Sequence, residues 1–342
     1  MAKVYGLAVF IGRFQPFHLG HESIIKHGLE VADSVLVLVG SSDSPRCHRN
    51  PFLLWERSSM ILDVFKGNDR VYVEPLSDSN YNDSHWITEV QEIVSRYQGD
   101  LNNKPVCLIG HKKDSTSYYL KMFPQWESVD SPNYKNINST DIRASYFSNI
   151  GHMWINDAQS LVPKQVKNFL KRFMDEYSYN KIKDEYEFIV KYKSAWANSP
   201  YPPTFVTVDA VVVQSGHILL VKRGAQPGLG QWALPGGFVN QDERIADAVI
   251  RELREETGIK VPDPVLRGSI VAREVFDDPY RSARGRTITH VSLIKLKDDL
   301  TLPRVKGGDD AAKATWIPLT DLYASDFFED HFAIIQNMLG RI

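Results

Sequence analysis

Short aliphatic runs alternate with stretches of helical periodicity from the N-terminus to about residue 150. Val4–Ile11, Ser34–Gly40, Val71–Pro75 and Pro105–Gly110 predict strands, and His21–Ala32, Phe52–Phe65 and Ser84–Tyr97 predict helices between them. Strand–helix alternation of this kind predicts an α/β layer built on a parallel sheet. The run Val35-Leu36-Val37-Leu38-Val39 has no polar alternation, as expected of a strand covered on both faces. Ligands on such a sheet collect beyond the carboxyl ends of its strands.

From Val162 to about Ala197 the pattern becomes helical and polar. Pro163 falls in a first helical turn, and Val166, Phe169, Leu170 and Phe173 recur at three- and four-residue spacing. Ser199-Pro200-Tyr201-Pro202-Pro203 then reads as a stiff connector, which places a domain boundary near residue 200. Beyond it, Phe205–Val213 and His217–Lys222 predict a hairpin turning at Ser215-Gly216. A helix over Glu243–Thr257 and strands around Arg267–Arg273 and Thr287–Leu296 complete a mixed α+β pattern. No internal repeat or low-complexity tract interrupts it.

Composition narrows the class. The 342 residues suit two domains at the usual roughly 100–200 residues each. With 43% hydrophobic residues, 24% charged and a net charge of -2, the chain reads as a soluble globular protein with no bulk attraction for nucleic acid or acidic membranes. Cys47 and Cys107 alone provide neither a disulfide framework nor a cysteine-rich zinc site, which fits the cytoplasm. The apolar run Val4–Ile11 is too short to span a membrane and reads as a strand. The expected partners are small molecules, and homo-oligomerisation stays open.

Candidate chemistry lies in two places. In the first, Gly12 to His21 (GRFQPFHLGH), Gly12 ends a strand and Gly20-His21 opens a helix, with Pro16 keeping the loop between them non-helical. Amides left unpaired at that helix start would attract phosphate, and His18 and His21 could stabilise charge building on a leaving oxygen. An isolated H-x-x-H fits equally well with two polar residues satisfying loop carbonyls, or with half of a metal site. In Ile137-Asn138-Ser139-Thr140-Asp141-Ile142-Arg143, Asn138 or Ser139 reads on its own as a helix N-cap. Arg46, Arg49 and Arg57 follow a strand's carboxyl end, where a second phosphate would sit, and Trp86 is either a stacking surface or a packing residue.

In the second, Glu252, Glu255 and Glu256 fall at i, i+3 and i+4 of one helix, so three carboxylates share a face. Such a face is self-repelling without a cation. Hard magnesium or manganese ions suit carboxylate oxygens. The alternative is a solvated acidic face neutralised by Arg251 and Arg254. The loop Phe276–Thr287 carries Arg281, Arg284 and Arg286, candidates for the phosphates or terminal ribose of a substrate.

The first string resembles the G-x-F-x-P-x-H-x-G-H motif of the nucleotidyltransferase superfamily, and Ile137–Arg143 resembles its I-S-x-T-x-x-R element with Asn138 in place of Ser. Over residues 1–175 the chain is similar to nicotinamide-mononucleotide (NMN) adenylyltransferases of the archaeal-like bacterial type. That resemblance implies a Rossmann-like domain in which Gly12, Arg13, Phe14, His18, His21, Ser139, Thr140 and Arg143 bind ATP. His18, His21 and Arg143 would be catalytic, and Arg49 and Trp86 would hold NMN. Gly237, Glu243 and Arg251–Ile259 match the Nudix box at each defining position. The resemblance covers residues 203–342 and implies that Gly237, Glu252, Glu255 and Glu256 hold magnesium or manganese, with the three glutamates catalytic. It also implies that Glu243 pairs with Arg251 and that Gly258 ends the helix. Residues 176–202 are then a helical and proline-rich connection.

Two such domains on one chain resemble bifunctional enzymes that make NAD from ATP and NMN and hydrolyse ADP-ribose to AMP and ribose 5-phosphate. Two other readings stay open. The first domain would act on nicotinate mononucleotide or phosphopantetheine beside a Nudix hydrolase of different substrate, or the second would be an ADP-ribose sensor that regulates transcription.

Overall fold

A computed structural model describes residues 3–98, 104–110, 121–148, 150–308 and 311–341. The chain divides into two compact units, Met1–Asp184 and Glu185–Ile342.

The N-terminal unit is built on β1 (Tyr5–Gly12), β2 (Ala32–Val39), β3 (Val71–Pro75), β4 (Val106–Gly110) and β5 (Glu127–Asp130). These strands form one sheet in the order β3-β2-β1-β4-β5, with every neighbouring pair parallel. Helices α1 (Leu19–Val31), α2 (Leu54–Val64) and α3 (Asp83–Gln98) are the crossovers. The strand alternation is used on both faces: Leu7, Val9, Leu36, Leu38 and Leu108 share a core with Val90, Ile93 and Val94 of α3. On the other face α1 comes so close that a Cβ on Gly28 would lie 2.8 Å from Val35 Cγ2. That double coverage is why β2 reads as an unbroken apolar run. The unit continues with α4 (Ser139–Tyr146), α5 (Gly151–Asp157) and α6 (Lys164–Phe173), where Val166, Leu170 and Phe173 are buried as their spacing predicts. The division between units falls within α7 (Tyr177–Ser194).

The C-terminal unit has a mixed sheet. Strands β6 (Thr204–Gln214), β7 (His217–Arg223), β10 (Ile270–Phe276), β11 (Arg286–Lys295) and β12 (Ala311–Pro318) run in the order β10-β11-β6-β7-β12; the short β8 (Trp232–Ala233) pairs β7 and β9 (Gly236–Phe238) pairs β6. The expected hairpin is present: Val213 and Gln214 pair with Ile218 and His217, and Ser215 and Gly216 both take positive φ, 46° and 71°. Helix α8 (Ile245–Thr257) packs Ala248, Val249 and Leu253 on Val208, Ala210 and Val212. It starts two residues later than its periodicity suggests, because Glu243 is held outside it, its carboxylate engaged by Arg251. Gly258 closes it in the left-handed conformation, φ 54°. Arg267, read as strand, belongs to α9 (Asp263–Gly268), and α10 (His331–Leu339) follows the last strand.

Candidate active sites

The loop after β1 is shaped by two close approaches. A Cβ on Gly12 would lie 2.9 Å from the Phe14 ring, and one on Gly20 would lie 3.0 Å from the His18 ring. Phe14 takes φ 52°, rare for an aromatic residue. Its ring is buried beneath His21, edge-on at 4.8 Å, so the side chain supports the imidazole and any contact of Phe14 with ATP would fall to its backbone.

His18 and His21 cap α1 reciprocally. His21 N–H donates to His18 Nδ1 and His18 N–H to His21 Nδ1, both at 3.3 Å, and the two rings stack at 3.5 Å. An Nδ1 that accepts carries no proton, so each neutral ring keeps its hydrogen on Nε2, a donor. The expectation that the helix-start amides stay open to phosphate is corrected here: Leu19 N–H donates to Leu161 O at 3.0 Å, and His21 N–H to the His18 ring.

Helix α4 brings its residues to the same loop. Asn138 is the N-cap, accepting from Asp141 N–H at 2.9 Å, which is the simple structural role. Ser139 Oγ donates to Pro16 O at 3.1 Å, and Arg143 reaches Gln15 O at 2.7 Å and Thr140 Oγ1 at 3.4 Å. Burial, followed by the nearby Arg13 and Arg49 charges, lowers the Arg143 pKa to about 10. Arg143 is thereby fixed on the loop that carries the histidine pair, within the electrostatic reach of Arg13 and Arg49, and such a concentration of positive charge favours a polyanion. The other arginines are committed: Arg46 forms a two-bonded pair with Glu56 at 2.7 and 2.8 Å, and buried Arg57 donates to the carbonyls of Arg13, Gly40 and Ser41. Gln15, unremarked in the sequence, fixes the loop by exchanging two bonds with the Phe52 backbone. Trp86 is half-buried, 5.9 Å from Phe123 at the edge of the core.

In the C-terminal unit Arg251 organises the acidic face. It holds Glu243 through two bonds at 2.7 and 2.8 Å, and its Nη1 bridges Glu252 at 2.7 Å and Glu255 at 2.9 Å. These carboxylates raise the Arg251 pKa. Gly237 backs directly on Glu252: a Cβ there would lie 2.7 Å from the carboxylate. Glu256 accepts Gly236 N–H at 2.9 Å. Burial, then the charges of Glu252 and Asp209, push the Glu256 carboxyl up to about 8. Burial likewise holds Asp209 up to about 7, against Arg281 and the Thr289 hydroxyl that donates to it. Of the loop arginines, Arg281 is buried in an ion pair with Asp330, whereas half-buried Arg284 lies 5.3 Å over the Phe238 ring and Arg286 donates to Asp277 O. Arg223, which lowers the Glu256 pKa from its place over Phe328, and Asp209 were not singled out by motif.

Residues 203–338 match the NUDIX domain family and residues 9–145 the Cytidylyltransferase-like family. The chain is 36% identical over 181 residues to a nicotinamide/nicotinic acid mononucleotide adenylyltransferase of Acinetobacter baylyi, covering 92% of that protein. It is 37% identical over 134 residues to an ADP-ribose pyrophosphatase of Methanocaldococcus jannaschii, covering 72% of it. A crystal structure of a bifunctional NMN adenylyltransferase/ADP ribose pyrophosphatase from Francisella tularensis matches both units at 40% identity. It covers 98% of this chain and 99% of that one, with a TM-score of 0.89. The chain belongs to this bifunctional family. A second structure of the Francisella protein, at 37% identity, is complexed with AMP and a manganese ion. Divalent-metal dependence is thus suggested for the family's Nudix half; among the described residues no three acidic side chains are gathered closely enough to hold an ion, Glu252 and Glu255 being engaged by Arg251, and the fit is one of donor chemistry. The donors at the α8 face are hard carboxylate oxygens, and Glu256 is a buried carboxylate whose charge a cation would stabilise. Among the described residues no helix is long and apolar enough to cross a membrane.

Proposed function

We propose that this member of the family transfers the adenylyl group of ATP to NMN, releasing pyrophosphate and forming NAD, and separately hydrolyses ADP-ribose to AMP and ribose 5-phosphate. The observation that carries this reading is that both charged centres stand complete on one chain. In the first unit the His18–His21 pair stacks in the loop whose Gln15 carbonyl Arg143 binds, and in the second Arg251 gathers Glu243, Glu252 and Glu255 on the helix that also carries Glu256.

In the first site the NMN phosphate is the nucleophile toward the α-phosphorus of ATP. As a phosphate monoester its second pKa is about 6, so it is ionised near neutrality without a general base. Catalysis then consists of holding the two phosphates in line and neutralising charge on the departing pyrophosphate. Imidazole Nε2–H donors of His18 and His21, with Arg143, Arg13 and the Ser139 and Thr140 hydroxyls, supply that neutralisation. Arg49 and Trp86 hold NMN. In the second site Glu252, Glu255, Glu256 and the Gly237 backbone would hold magnesium or manganese, and Arg284 and Arg286 would meet the substrate. A bound divalent ion would neutralise the diphosphate and activate water. Arg251 keeps the carboxylates aligned for it.

Trp86→Ala is expected to raise KM for NMN about tenfold with a smaller change for ATP, because a stacking surface stabilises ground and transition states alike. Initial-rate kinetics with each substrate varied in turn checks this, and equal changes for both substrates would remove Trp86 from the NMN site. The Acinetobacter relative is named for both mononucleotides. The assay therefore compares nicotinamide with nicotinate mononucleotide.

A further inference from the structure

Three consecutive side chains at the start of α10 reach three different places in the C-terminal unit. Glu329 Oε1 accepts Ala283 N–H at 2.8 Å. Asp330 receives the Arg281 guanidinium through two bonds, 2.9 and 3.0 Å, with both side chains 4% exposed. His331 Nδ1 accepts Leu234 N–H at 2.9 Å. Arg281 and Ala283 belong to the loop that carries Arg284 and leads into β11 at Arg286. Leu234 lies two residues before Gly236, the start of β9, whose Gly237 backs on Glu252. One turn thus ties the arginine loop to the glycine strand.

The turn adopts this arrangement at a cost. Glu329 is left-handed, φ 45°, a conformation that non-glycine residues rarely adopt without a constraint. Asp330 is the N-cap of α10 yet makes no capping bond with its side chain, forgoing what an aspartate ordinarily contributes there. A buried ion pair recovers little of its desolvation cost, and apolar residues of similar size would hold two segments together as well. What an apolar contact lacks is the fixed orientation of a two-bonded guanidinium–carboxylate pair. Arg284, whose charge also acts on Glu329, lies over the ring of Phe238, the residue after Gly237.

We infer that the Glu329-Asp330-His331 turn is a positioning element of the ADP-ribose cleft, in which Asp330 acts through Arg281 to set the distance between the Arg284 loop and the Gly236-Gly237 strand. The inference rests on the hydrolase reading above, with Arg284 meeting the substrate.

The test uses the full chain. Asp330→Asn keeps the side-chain shape and removes its charge. KM for ADP-ribose should rise about tenfold or more while kcat changes much less, since a displaced binding group weakens ground and transition states together. The magnesium concentration giving half-maximal rate should not change, because the α8 carboxylates are untouched. The double variant Arg281→Met, Asp330→Leu should melt close to wild type and still show the raised KM. Wild-type KM in a variant of wild-type melting temperature would overturn the inference, as would lost kcat at unchanged KM. Failure of both variants to fold would also overturn it, by making the pair structural. Should the wild type itself not hydrolyse ADP-ribose, the hydrolase reading fails instead, and calorimetric Kd for ADP-ribose then decides the positioning claim by the same criteria.

Discussion

Alanine in place of His21 is expected to lower adenylyl transfer by about two to three orders of magnitude, the scale for losing one preorganised donor to a developing negative charge. ADP-ribose hydrolysis should be unchanged. His21 also accepts His18 N–H and stacks on the His18 ring, so part of the loss could come from a frayed α1 start. His18→Asn separates the two effects. Asparagine is among the best N-caps and can still accept His21 N–H, yet it lacks the Nε2 donor. A similar fall in kcat with an unchanged melting temperature is the expected result. Near-normal kcat in His18→Asn would mean that the pair serves only to cap the helix.

Glu256→Gln is expected to abolish ADP-ribose hydrolysis and leave adenylyl transfer intact. Glutamine can keep the bond from Gly236 N–H, so the backbone of β9 should stay in place while the carboxylate charge is lost. The same substitution should also change how the protein responds to metal. Without a cation, burial beside Glu252 and Asp209 disfavours the ionised form of Glu256 that the unfolded chain keeps at neutral pH, so the metal-free variant should melt at or above the wild type. The rise in melting temperature that magnesium gives over chelator should shrink, because binding to the native state is what produces it. Calorimetry with and without chelator measures both. Retained hydrolysis, or an undiminished magnesium shift, would take Glu256 out of the metal site.

How much of this was legible in the sequence differs between elements for physical reasons. Strand β2, buried on both faces, announces itself as an unbroken apolar run, and the hairpin at Ser215-Gly216 carries its own turn chemistry. Strand β5, Glu-Ser-Val-Asp, has no such run, because an edge strand of four residues is specified by its partner β4 rather than by its own side chains. Strand β12 likewise takes its place from pairing with β7.

The same division runs through the candidate sites. The His18–His21 pair and the Glu252, Glu255 and Glu256 face are local patterns, readable from spacing alone. Arg281 looked like a ligand residue because an arginine in a loop is ordinarily exposed; its burial against Asp330, 49 positions away, is a tertiary fact. Asp209, Arg223 and the Glu329–His331 turn were silent for the same reason, and so was the use of the Leu19 amide by Leu161.

The central claim is that one chain carries two separate reactions of NAD chemistry, and product analysis on the purified protein tests it most directly. Incubated with magnesium, ATP and NMN, it should yield NAD and pyrophosphate; incubated with magnesium and ADP-ribose, it should yield AMP and ribose 5-phosphate, and chelator should stop the second reaction. Intact ADP-ribose alongside measurable binding, or no dinucleotide from ATP with either mononucleotide, would contradict the account.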